Sequence, residues 1–166
     1  SLEGTGYGVF HMRMFDTYSL WKDATGDDLA AQSSHCRDSI PYWIHATVPD
    51  LGHFASIGDQ PNNSPSQIQD YHRRVVLEAI SLNPGTVEAE YGMWWLNNIL
   101  LPYETQPRMH SGFNYKWDVL YQIPPQQLQR PPTDLRYSAA GTGDVFARTS
   151  WAKDAAWIAI KAGRYN

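Results

Sequence analysis

Two proline pairs, Pro124-Pro125 and Pro131-Pro132, mark a change of apolar period, and no other feature constrains the fold of this chain as strongly. Upstream, apolar residues recur at helical spacing. Downstream they alternate, as in a strand with one buried face. A single regular element cannot satisfy both periods. The chain therefore reads as α+β, with a helical segment over 1–125 and an antiparallel β segment over 126–166.

Local punctuation divides the helical part. Val9, Phe10, Met12, Met14, Phe15, Tyr18, Leu20 and Trp21 make the stretch from Tyr7 to Lys22 apolar nearly all round, as in a buried helix. Gly26 supplies a stop and Asp27-Asp28 a fresh cap. A shorter helix is predicted from about Ser39 to Thr47, and turn chemistry predicts a loop from Pro49 to Pro65. Ser64-Pro65 and Asn83-Pro84 each pair a cap with a proline suited to a first helical turn, predicting two more helices. Pro102 stops the second. Strands are predicted at Leu135–Tyr137, Val145–Thr149 and Trp157–Lys161, joined by turns at Gly141–Asp144 and Ala152–Asp154. Helices reach to about residue 122 in this reading, and no strand precedes residue 100.

Composition narrows the function. The chain has 166 residues and 42% hydrophobic residues, enough for one sizeable core or two small ones. Net charge is −4 with Lys and Arg scattered, so the basic stripe of a nucleic-acid binder is missing. No apolar run is long enough to span a membrane. Cys36 is the single cysteine, and the six histidines are dispersed, so neither a metal site nor a cofactor is expected. Seven Trp and ten Tyr raise the aromatic share to 13%, which suits either a core or the stacking of sugar rings. The chain opens without Met and stops three residues after a strand, which reads as a fragment of something larger. Its last strand, Ala155 to Ala162, is expected to keep an open edge, with Trp157 and Ile160 exposed, for the rest of the same enzyme or for another chain.

A resemblance rests on three runs. Gly141-Thr142-Gly143-Asp144-Val145-Phe146-Ala147-Arg148-Thr149-Ser150-Trp151, then Asp154 to Gly163, is similar to the start of the β-sandwich in heparinase II/III-like polysaccharide lyases. There a strand ends in Arg-Ser/Thr-x-Trp and the next in Lys-x-Gly. Upstream, Glu3-Gly4-Thr5-Gly6-Tyr7-Gly8 resembles the Glu-Gly-x-Gly-Tyr segment of that family's α/α toroid. The Gly58-Asp59 loop and the helix opened by Pro84 fit the late toroid. The resemblance implies the end of an α/α toroid followed by the start of a β-sandwich, an acidic polysaccharide as partner and a periplasmic or secreted bacterial protein. It also implies cleavage of uronic-acid chains by β-elimination, with further catalytic groups upstream of Ser1 and beyond Asn166. The intact protein is then expected to be the enzyme, and this chain alone to be inactive.

Elimination needs a group that moves the C5 proton and donors that stabilise the charge developing on the uronate. The resemblance makes Tyr7 the proton-transfer candidate, with His11 as its catalytic neighbour. Arg13 is a substrate-binding candidate, and either His11 or Arg13 is expected to favour the Tyr7 phenolate. Arg73, in His72-Arg73-Arg74, could pair a carboxylate bidentately, the alternative being a solvated face on which Arg74 pairs with Glu78. Arg148 and Trp151 read as a structural clasp or as substrate contacts. Glu88 and Glu90 point to different faces and form no acid/base pair. Two other classes stay open. One is a non-catalytic carbohydrate-binding or scaffold module. The other is an α/α-toroid glycoside hydrolase using Glu3 and Asp59.

Overall fold

A computed structural model describes residues 11–57, 66–68, 70–100 and 128–162. Among these residues four helices precede a three-stranded antiparallel sheet, so the chain is mixed α+β. The helices are α1 (His11–Thr25), α2 (His35–Ala46), α3 (Asp70–Leu82) and α4 (Val87–Asn98). The strands β1 (His53–Phe54) and β2 (Ser66–Gln67) form a small ladder, and β3 (Arg136–Ala139), β4 (Asp144–Arg148) and β5 (Trp157–Lys161) form the sheet. No described helix is long and apolar enough to cross a membrane.

The β1–β2 ladder corrects the reading that no strand precedes residue 100. His53 pairs with Gln67 and Phe54 with Ser66, and the Ile68 amide donates to the Gly52 carbonyl at 2.9 Å. This pairing holds 66–67 extended, so α3 begins at Asp70 and not directly after Pro65. Two other helix starts move. The α2 helix begins at His35, a turn before Ser39, and takes Pro41 inside it. At α4 the cap is Thr86, whose hydroxyl accepts from the Ala89 amide at 3.2 Å, while Gly85 turns the chain at φ +76°. Asn83 instead closes α3, its side-chain amide donating to the Ala79 carbonyl at 2.8 Å. The α4 helix ends at Asn98, where extended Ile99 follows, before Pro102 is reached.

The first helix is one-sided. Phe15 is buried, but Leu20 is 69% and Trp21 46% exposed, which corrects the all-round burial expected from composition. Gly26 does terminate it, at φ +81° with its amide on the Lys22 carbonyl, and Asp28 caps the short turn that follows. Packing of α2, α3 and α4 produces an apolar core of Ile40, Trp43, Ile44, Val76, Ile80 and Trp95. Close approach of these helices needs Gly92. A Cβ there would lie 2.8 Å from Ile80 Cδ1 and 3.1 Å from Ile40 Cγ2. The one polar atom of Trp95 is satisfied by the Thr47 hydroxyl at 2.9 Å.

Arg74 ties α3 to α1. It donates to both Asp16 oxygens, at 3.0 and 2.9 Å, and also pairs with Glu78. Glu78 is fully buried and His72 is 1% exposed, packed on Trp43 and Phe54. The pairing expected of Arg74 is thus present, but on an interior face and not a solvated one.

Alternation in the sheet works as the two-residue period predicts. On β4, Asp144, Phe146 and Arg148 are buried against the helices, while Val145 and Ala147 alternate outward. In register, Phe146 opposes Tyr137 and Ala159, so one face is aromatic and covered. On the other face Ile158 and Ile160 are 53% and 48% exposed. Among the described residues β5 pairs with β4 alone. Trp157 departs from the expected exposure. It is half-buried, stacked near Phe146, and its indole N–H donates to the His45 carbonyl at 3.2 Å.

Candidate functional site

Where the β3–β4 hairpin meets the start of α2, the two layers leave a cleft of about 520 Å³. Its walls carry His11, His35, Asp38, Tyr42, Tyr137 and Thr142, with Ser33, Ser34, Ser39 and Ser138 adding hydroxyls. Cavities of this size and mixed lining are where ligands are usually held.

Each side chain is set by its element. His11 opens α1 and His35 opens α2, and their rings lie 5.0 Å apart. His11 Nδ1 is buried and has no hydrogen-bond partner among the described residues. Burial, and then the neighbouring His35, lower the His11 pKa to about 4. It is neutral at physiological pH and one ring nitrogen is available to accept a proton. One helical turn beyond His35, Asp38 receives the Tyr137 hydroxyl on its main-chain oxygen at 3.1 Å. Tyr42, a further turn along α2, donates its hydroxyl to Asp144 Oδ2 at 3.0 Å. Asp144 is fully buried, and Lys161 approaches its other oxygen at 3.4 Å.

The tyrosines are phenols, not phenolates. Burial pushes Tyr137 up to about 12, and burial together with the Asp144 charge pushes Tyr42 higher still. Lys161 leads to a second cavity of about 420 Å³ on the β5 side, lined by Val48, Phe54, Ser56 and Trp157 among others. Buried Asp144 thus bridges a residue of each cavity.

Of the residues singled out in the sequence, Tyr7 lies outside the described residues, as do Glu3 and Asp59. His11 lines the cleft. Arg13 is exposed on α1 and Arg73 half-buried on α3, and neither is among the described residues lining the cleft. Arg148 and Trp151 form a clasp. The Arg148 guanidinium lies 3.8 Å over the Trp151 ring and donates to the carbonyls of Thr47 at 2.7 Å and His45 at 3.3 Å. Burial lowers Arg148 only to about 10, so it keeps its charge. Glu88 and Glu90 diverge as expected, toward Arg37 and Arg130 respectively.

Burial keeps His11 neutral, so a ring nitrogen can accept a proton; the expected pairing of His11 or Arg13 with Tyr7 lies outside the described residues. Sequence reasoning missed His35, Asp38, Tyr42, Tyr137 and Asp144. His35 and Asp38 share a helical face only because α2 starts a turn early, and Tyr42 and Asp144 are 102 residues apart. No family model, curated protein or solved structure matches this chain.

Proposed function

We propose that the chain carries part of the cleft of a polysaccharide lyase that cleaves uronic-acid-containing chains by β-elimination. In this reading the helices belong to the end of an α/α toroid and the sheet to the start of a β-sandwich. The observation that carries it is His11: a neutral imidazole whose buried nitrogen has no partner among the described residues, in a cleft walled by both layers. Such a group can take the C5 proton of a uronate. The C5–H electron pair becomes the C4–C5 double bond, the bond from C4 to the glycosidic oxygen breaks, and that oxygen leaves with a proton from a phenol or water. Tyr7, four residues before His11, is the other proton-transfer group. The hydroxyls of Ser33 and Ser34 can hydrogen-bond a substrate beside the histidines. A polymeric acidic substrate accords with a periplasmic or secreted location.

Incubating the intact protein with polyuronates and glycosaminoglycans separates the classes. Ultraviolet absorbance from an unsaturated uronate, rising with new reducing ends, supports the lyase. Reducing ends without that absorbance indicate a hydrolase. Binding with neither indicates a carbohydrate-binding module. Tyr7→Phe removes the hydroxyl and keeps the ring, so in the intact enzyme it is expected to slow elimination by roughly 10²–10⁴-fold. An unchanged rate removes Tyr7 from the mechanism.

A further inference from the structure

His11 and His35 open two different helices, and both border the same cleft. Their ring centroids lie 5.0 Å apart with the planes tilted by 55°. Among the described residues neither ring makes a hydrogen bond. Each neutral imidazole carries one nitrogen lone pair, so the pair brings two soft donors to one cavity.

Their separation suits one chemistry. A divalent ion about 2 Å from one nitrogen of each ring, with a tetrahedral angle between the two bonds, sets the centroids roughly 5 Å apart. The helices already hold the rings at that distance. His35 is exposed, so rotation of its own side chain is enough to turn a nitrogen toward the ion. No third histidine, cysteine or carboxylate completes the set among the described residues, which leaves water and the Ser33 or Ser34 hydroxyl for the remaining positions. Two protein ligands make an open, exchangeable site, unlike the four that hold a structural zinc. Other described histidines are engaged elsewhere: His45 and His72 are buried, and His53 Nδ1 is bonded to Asp50 at 2.7 Å.

We propose that His11 and His35 form a two-imidazole site for a divalent transition-metal ion of the zinc and copper class, and that an ion held there withdraws the His11 lone pair from proton transfer. The site stands on the geometry of the pair. Its effect on elimination rests on the lyase reading.

The test is calorimetric titration of the intact protein, stripped with a chelator, with Zn2+, Cu2+ and Mg2+ as chlorides. Zn2+ is expected to bind, Cu2+ more tightly, and Mg2+ not at this site, because imidazole suits the first two and Mg2+ takes oxygen ligands. His11→Gln and His35→Gln should each weaken Zn2+ binding by at least about tenfold, while His53→Gln leaves it unchanged. Exposed His35 makes the second variant safe for folding. No Zn2+ binding, or binding unmoved by His35→Gln, would overturn the site. In the elimination assay Zn2+ should inhibit, a chelator should restore the rate, and His35→Gln should need at least about ten times more Zn2+ for half-inhibition of its own rate. Full elimination with Zn2+ bound to the pair would remove His11 as the base and leave the metal site standing. If no polyuronate or glycosaminoglycan is cleaved the lyase reading fails, and the titrations judge the site alone.

Discussion

The helical layer and the sheet are held together by different physics. Around α2, α3 and α4 the contacts are apolar and close, with Trp43, Ile40, Ile80 and Trp95 packed around a glycine that admits no extra carbon. The sheet has one covered face, and much of what joins it to the helices is polar. Arg148 reaches the carbonyls of His45 and Thr47, Trp157 the His45 carbonyl, Tyr42 the Asp144 carboxylate and Tyr137 the Asp38 carbonyl. Non-directional burial lets side chains repack, whereas buried hydrogen bonds allow few arrangements. The cleft lies on the polar seam, where relative position is fixed by directional contacts.

The strongest test of this contrast is Arg148→Met. It keeps some apolar bulk under Trp151 but takes the guanidinium from the Thr47 carbonyl and leaves the His45 carbonyl with the Trp157 indole N–H alone. Loss of two charge-assisted hydrogen bonds and a cation–π contact predicts a destabilisation of about 2–4 kcal/mol. Hydrogen exchange should locate it, with protection falling in β3, β4 and β5 while α3 and α4 keep theirs. Uniform loss across both layers would break the contrast.

Acid should act on the same seam. His45 is 2% exposed, and burial, then the charge of Arg148, lower its pKa to about 4 from an ordinary 6.5. Above pH 6.5 both folded and unfolded chains hold it neutral, so its titration contributes nothing. Between 6.5 and about 4 the unfolded chain takes up a proton that the folded chain refuses, and stability falls with pH. The loss from this residue is at most about 3 kcal/mol. Chemical denaturation at several pH values, with and without His45→Asn, measures it. The variant should flatten the acid slope, and an unchanged slope would remove His45 from the account.

Within the helical layer the expected effect is smaller. Gly92→Ala raises helix propensity in α4 by up to about 1 kcal/mol, but its methyl meets Ile80 Cγ1 at 2.9 Å as well as Ile40. Overpacking outweighs propensity, for a net loss of about 1 kcal/mol. A rise in melting temperature would show that this core yields more readily than the contrast assumes.

What could be read from sequence follows from the range of the forces involved. The three strands of the sheet were visible because alternation is local, and β5 runs as predicted from Trp157 to Lys161, whereas the short β1–β2 ladder carries no such signal. Gly26 as a helix stop was equally local. Helix starts failed where a distant partner competed, as when His53 and Phe54 held 66–67 extended. In the cleft only His11 was anticipated. Tyr137 and Asp38 are 99 residues apart, and no local pattern brings a strand aromatic onto the main-chain carbonyl of a distant helix.

Most direct for the central claim is the pH profile of elimination by the intact protein with His11 and with His11→Gln. If His11 accepts the C5 proton, the variant should lose roughly 10²–10⁴-fold in kcat/KM. The acid limb of the unsubstituted enzyme should then fall near pH 4, where His11 becomes charged, and not near the 6.5 of an exposed imidazole. A variant that keeps the full rate with the same profile would contradict the assignment of this cleft.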